Sequence, residues 1–376
     1  MDDHTVVLPN GTLRITVVRA QWALDELLAF AARANPRRPF LFVSKVLGRH
    51  LPCRPATLRA TYADLAAPLL NAPGPIWIIG LAETAVGLGA GVGNELARLA
   101  ARTDVFFQHT TRLPLSAPPL LTFAEVHSHA PTHLLHHPTP ALAAAFAATR
   151  TLVLVDDELS TGRSLGELAR ALLPHLPQLE RIALVALVNW LDDPARAAWA
   201  ETLRQRAGRA LEVLWVSLLD GRFAFVPAPG RAPVALPPDV TPRRAPHRVR
   251  ADLGRRGLRL PVVSPWTDDH APALPARPPL AVVGTGECAF APYLLAETLE
   301  QAGYDVTMQC TTRSPVVLGA AIRASVSCPD PYGQGVGYYL HHPPPPERMV
   351  LAVYETPAGR DAPHPDWRWT RLAVPG

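Results

Sequence analysis

The sequence predicts an α/β protein: a mainly parallel sheet with flanking helices, followed by a smaller α/β unit. Three observations predict it. Short apolar runs alternate with segments of helical period, the rhythm of strand–helix–strand units. The runs are continuous rather than alternating with polar residues, as strands covered on both faces require. Finally, 13 of the 42 prolines fall between Val226 and Leu280, a stretch weak in periodicity that parts the chain.

In order, the pattern predicts a helix over Ala20–Ala34 and strands at Phe40–Val43 and Ile76–Ile79. A helix over Glu83–Ala101 leads to strands at Val105–Phe107 and Leu152–Val155. A helix over Leu165–Leu173, a strand at Ile182–Val188, a helix over Pro194–Arg206 and a strand at Val213–Ser217 complete the first unit. Beyond the prolines come Ala281–Val283, a helix over Pro292–Ala302, and strands at Val306–Cys310 and Met349–Tyr354. The expected division is 1–225, a Pro-rich connection over 226–280, and 281–376.

With 376 residues and 48% hydrophobic content, the chain can bury two cores. The net charge of +4 is mild, and nearly all positive charge is arginine; Lys45 is the one lysine. No basic stripe interleaved with aromatics appears, so no nucleic-acid partner is expected. Arg243, Arg244, Arg248, Arg250, Arg255, Arg256 and Arg259 cluster in the proline-rich stretch and read as a solvated linker. Four scattered cysteines without CxxC spacing argue for reduced thiols, against a zinc ribbon or a disulfide frame. The start, Met1-Asp2-Asp3-His4, lacks a signal peptide's basic and apolar regions, and no apolar run reaches spanning length. A soluble, cytoplasmic protein without a membrane partner is expected.

The most informative stretch runs from Leu152 to Ser164. An apolar strand ends in Asp156-Asp157, and the turn Ser160-Thr161-Gly162-Arg163-Ser164 then opens a helix. Backbone N–H groups of that turn can cradle a phosphate, aided by the helix dipole and three hydroxyls. Carboxylates beside such a cradle suit ribose hydroxyls or a hydrated Mg²⁺. The bland reading is an acidic pair ending a core strand, with Ser160 or Thr161 capping a helix. Gly80-Leu81-Ala82-Glu83-Thr84 repeats the strand–turn–helix arrangement and offers a second anion loop. The glycine-rich run Gly87–Gly93 behind it is read equally well as close helix packing. Arg112, after the next strand, carries a fork suited to phosphate oxygens; a surface arginine would look the same. In the second unit, Gly284-Thr285-Gly286-Glu287 and Thr312-Arg313-Ser314 each follow a strand, and Asp330 and Tyr332 add polar groups. Each is compatible with a further ligand site or with a plain turn.

The Leu152–Ser164 segment resembles the phosphoribosyl-diphosphate (PRPP) motif of type I phosphoribosyltransferases. Ser44-Lys45-Val46-Leu47-Gly48-Arg49-His50, the histidine-rich Glu125–His137 and the Asp156-Asp157 loop together resemble the orotate-phosphoribosyltransferase-like (PRTase_2) family of bacterial tellurite-resistance and stress gene clusters. Thr312-Arg313-Ser314-Pro315, Gly284-Thr285-Gly286-Glu287 and Asp330-Pro331-Tyr332-Gly333 match its C-terminal TRSP domain. The resemblance implies a type I phosphoribosyltransferase fold and transfer of a phosphoribosyl group from PRPP to a small-molecule acceptor, with Mg²⁺ and release of diphosphate; the alternatives are a PRPP- or nucleotide-binding regulator without turnover, and a stress-complex scaffold. Ser160–Ser164 would hold the 5′-phosphate; Asp156 and Asp157 the ribose or metal; Gly80, Glu83, Thr84 and Arg112 the diphosphate. Ser44, Lys45, Gly48 and His50 would face the acceptor. Where relatives carry a mobile, often lysine-bearing loop, this chain has histidines, and His129 and His133 are expected to serve there; their spacing also permits zinc. Arg163 departs from the usual small hydroxyl residue. Each unit is expected to carry its own crevice, and a homodimer is compatible with the resemblance.

Overall fold

The computed structural model describes residues 2–33, 38–124, 132–228, 252–264, 266, 277–314, 316–356 and 369–373. The first unit opens with β1 (Asp2–Leu8), β2 (Gly11–Ala20), the short α1 (Leu24–Leu27), β3 (Leu28–Ala32), β4 (Phe40–Ser44) and α2 (Pro55–Ala66). Next come β5 (Ile76–Gly80), α3 (Ala85–Leu99), β6 (Val105–His109), β7 (Pro119–Ala124), β8 (Thr132–His136) and α4 (Pro140–Ala147). It continues with β9 (Thr151–Val155), β10 (Glu158–Leu159), α5 (Arg163–Leu172), β11 (Arg181–Asn189), α6 (Asp193–Ala207) and β12 (Glu212–Pro227). Then follow β13 (Leu258–Leu260), β14 (Leu280–Gly284), α7 (Phe290–Gln301), β15 (Val306–Cys310), β16 (Ser325–Cys328), β17 (Tyr338–His341), β18 (Met349–Tyr354) and β19 (Trp369–Ala373).

The large sheet runs β1-β2-β12-β11-β9-β5-β6-β13, with β10 added to β11. Its central five strands, β12 to β6, are parallel, and the outer pairings are antiparallel. Every residue of β5, β6 and β9 is buried, which explains the apolar runs at their centres. The smaller sheet, β15-β14-β18-β19, is wholly parallel. Between the sheets lie α2 and α3 from the first unit and α7 from the second. Tyr62 of α2 meets Tyr293 of α7 edge to face at 5.2 Å. Gly91 of α3 leaves room for the Tyr62 ring, which a Cβ would approach to 2.3 Å. The glycine run of α3 therefore serves packing. No helix among the described residues is long and apolar enough to cross a membrane.

Two expectations change. Ala20–Ala34 is not one helix: β2 ends in it, α1 spans a single turn, and β3 pairs antiparallel with β4. Its apolar residues fit a helical period but also the alternate faces of a hairpin, and tertiary pairing decides. The arginine-rich connection is also not simply solvated. Its residues 258–260 pair with β6, Arg259 lies over the Phe106 ring at 4.9 Å, and Arg255 is 1% exposed. Arg255 finds its counter-charges at Glu287 and Glu355, too distant in sequence for local pattern to reveal.

Candidate active site

Register brings the loops together. Gly80 pairs with Val155 on one side and with His109 on the other, so three strands end level. The loops after them emerge side by side at the carboxyl edge of a parallel sheet, where such folds bind ligands. Gly80 is required there, because a Cβ would stand 2.4 Å from the Ala85 carbonyl oxygen.

The loop after β9 is partly open. Asp156 and Asp157 are half-buried, Thr161 and Arg163 exposed, and Gly162 is buried with φ +64°, capping α5. Trp199 Nε1–H donates to the Gly162 carbonyl at 3.0 Å and fixes the turn. The first-turn N–H groups of α5 have no intrahelical acceptors and could face an anion; that of Arg163 reaches Thr161 Oγ1 at 3.4 Å. Thr84 Oγ1 donates to Asp157 Oδ1 at 2.8 Å, tying the loop after β5 to the loop after β9. Among the described residues no group of three or more metal-binding side chains occurs. The oxygen-only pair Asp156/Asp157 suits Mg²⁺, which keeps waters and takes ligand oxygens rather than a protein cage.

Glu158, next in the motif, is held by Arg38, whose Nη2 lies 2.7 Å from both carboxylate oxygens. Arg38 in turn lies over Phe40 and Phe42. Burial raises the Glu158 carboxyl, and Arg38 offsets part of that rise. The sequence reading missed this pair, although a third consecutive carboxylate entering a core signals the need for a counter-charge.

The loop after β5 is braced from several directions. Ala82 N–H donates to Thr110 Oγ1 at 2.9 Å, and the Arg112 fork reaches the carbonyls of Ala82 and Thr132. Arg49 Nη2 donates to the Glu83 carbonyl at 2.6 Å. From the second unit, Arg313 Nε lies 2.9 Å from Glu83 Oε1.

That contact belongs to a polar seam between the units. Arg49, 2% exposed, also donates to the carbonyls of Gly286 and Thr311. Glu287, 2% exposed, accepts from Thr111 Oγ1, Arg112 N–H and the Arg255 guanidinium. Burial alone would raise the Glu287 carboxyl; Arg255 and His109 beside it, with those hydrogen bonds, hold it down at about 2. Arg255 also bridges to Glu355 at 2.7 Å, and the Tyr332 hydroxyl donates to that carboxylate and accepts from Glu287 N–H. The residues expected to line a separate second crevice are thus largely committed to this seam. Gly284, Thr285, Gly286 and Thr312 are buried. Thr312 Oγ1 accepts from Ser314 N–H, and Asp330 spends both oxygens on the N–H groups of Tyr332, Gln334 and Val336.

The stretch expected to face an acceptor also turns to the second unit. Gly48, φ +62°, packs on Met308, and its carbonyl accepts from Cys310 N–H. His50 is buried and stacked on His341 at 5.6 Å; burial, with His341 and Arg49, pushes it down to about 3. The Ser44 hydroxyl is buried and accepts from Val46 N–H, while Lys45 is exposed and donates to the Asp25 carbonyl. His133, expected in a lid, is fully buried, stacked on Phe123, with Nδ1 2.9 Å from Thr110 Oγ1. It belongs to the β7–β8 hairpin, whose strand β7 packs beside α5. His129 lies outside the described residues.

A family model described as phosphoribosyl transferase, PRTase_2, matches residues 27–222, just over half the chain. The chain belongs to the PRTase_2 family. The model for the TRSP domain, which lies C-terminal to PRTase_2, matches residues 266–365. No curated protein matches the sequence. Among solved structures, this PRTase_2 chain is similar to adenine phosphoribosyl transferase from Trypanosoma brucei, at 14% identity and TM-score 0.35 over 58% of this chain and 87% of that one. Orotate phosphoribosyltransferase from Francisella tularensis matches at 14% identity and TM-score 0.30, over 52% and 79%. The Giardia lamblia APRTase matches at 19% identity and TM-score 0.28, over 43% and 80%.

Proposed function

We propose that the protein transfers the 5-phosphoribosyl group of PRPP to a nitrogen of a nucleobase-like acceptor. The ribose C1–oxygen bond breaks with its electron pair leaving on diphosphate, and a C1–nitrogen bond forms as the acceptor nitrogen releases its proton to diphosphate or water. The observation that carries this reading is the Thr84–Asp157 hydrogen bond, which joins two strand-end anion loops into one edge. Ser160–Ser164 receive the 5′-phosphate, Asp156 and Asp157 the ribose hydroxyls, and the loop Gly80–Thr84, braced by Arg112, the diphosphate. Mg²⁺, held by Asp156 or Asp157 and ligand oxygens, would supply charge neutralisation to the leaving group. The residues themselves bind, orient and stabilise developing negative charge, with no covalent intermediate on the protein.

Calorimetric titration with PRPP and Mg²⁺ tests the reading. Binding is expected, weakened at least about tenfold in Asp157→Asn, a loss typical of a charged hydrogen-bond partner. Absence of binding at millimolar PRPP by folded protein overturns it. A second reading, a PRPP-binding regulator without turnover, is favoured by one observation: the Arg112 fork is engaged by backbone carbonyls. Diphosphate release that requires both PRPP and a base separates enzyme from sensor.

A further inference from the structure

The position of Arg313 supports an inference that rests on the phosphoribosyltransferase reading above. Glu83 lies in the loop assigned to diphosphate, where a bare carboxylate would repel a polyanion. Arg313 covers it, at 2.9 Å, with each side chain 9% exposed. The pair is close yet poorly aligned. The Nε–H of Arg313 donates to the Tyr338 hydroxyl at 2.6 Å, and Glu83 Oε1 accepts no hydrogen bond. Nη2 reaches Gln334 Oε1 at 3.3 Å, and the Tyr338 ring lies 5.1 Å beneath the guanidinium. Arg313 is thus positioned by its own unit, and Glu83 contributes attraction without a hydrogen bond. A planar, pre-oriented fork beside an anion loop is the residue type suited to phosphate oxygens.

We propose that Arg313 is a diphosphate-binding residue supplied by the TRSP domain, with Glu83 occupying its guanidinium until diphosphate enters. The two units then share one site. Arg313 gives up an imperfect ion pair for charge-assisted hydrogen bonds to phosphate, and Glu83 is left as the anion that competes for it.

The test titrates the full-length protein with Mg²⁺-diphosphate and, separately, with ribose 5-phosphate. Arg313→Lys keeps a positive charge at the seam but loses the fork. It should weaken diphosphate binding about tenfold, the worth of a charge-assisted hydrogen bond, and leave ribose 5-phosphate binding unchanged. Glu83→Gln removes the competing anion and should tighten diphosphate binding. Unchanged diphosphate affinity in Arg313→Lys overturns the assignment, as do equal losses for both ligands, which mark a purely structural tie. A Glu83→Gln protein with weakened diphosphate binding overturns the competition between the two anions. Wild-type protein that binds neither ligand overturns the phosphoribosyltransferase reading itself, and this inference with it.

Discussion

At the scale of single residues, the seam concentrates buried charge. Arg255 faces two carboxylates whose side chains have no measurable exposure. Removing one member of a buried ionic group leaves the others uncompensated, so Arg255→Met should cost about 3–5 kcal/mol, read from denaturant unfolding. Acid should act on the same region. His50 and His109 have folded pKa values of about 3 and about 4, against 6.5 for the free side chain. Between those values the unfolded chain holds more protons, so stability falls as pH falls below about 6.5. Glu287, depressed from 4.5 to about 2, has the same sign and acts lower. Urea midpoints measured from pH 7 to pH 4 should therefore decline, and His50→Asn with His109→Asn should flatten that decline. A constant wild-type midpoint would contradict the assignment. The sequence displayed Asp156, Asp157 and the Ser160–Ser164 turn because their chemistry is local. It concealed the role of Arg255, whose meaning depends on Glu287 and Glu355, 32 and 100 residues away.

At the scale of elements, buried parallel strands were the most legible part. The runs at β5, β6, β9 and β11 follow directly from burial on both faces. Short or edge elements were not: β1, the β7–β8 hairpin and the three-residue β13 owe their existence to partners, not to period. The helix α2 also went unread, its apolar face being shared among several neighbours rather than forming one stripe. The glycines of α3 give an element-scale prediction. Gly91→Ala would place a methyl against the Tyr62 ring and push α2 off α3. A loss of about 1–3 kcal/mol is expected from this overpacking. An unchanged melting temperature would show that α2 can shift freely.

At the scale of the whole molecule, the apolar core is continuous across both sheets, joining Ile78 and Leu154 to Val282, Leu295 and Leu351. Unfolding is expected as one transition, with calorimetric and van't Hoff enthalpies agreeing. Two resolved transitions would mean that the units melt separately. The path of the chain between them carries a further consequence. Residues 252–260 belong by sequence to the connection, yet they complete the edge of the first sheet and supply the cation that the second unit buries. The TRSP unit is therefore not a cassette that recombination could move intact. A transplanted segment beginning at Leu280 would arrive with Glu287 and Glu355 but without Arg255, the cation that bridges them. A viable graft has to begin upstream of Arg255, and it has to land beside a sheet whose last strand offers an open edge.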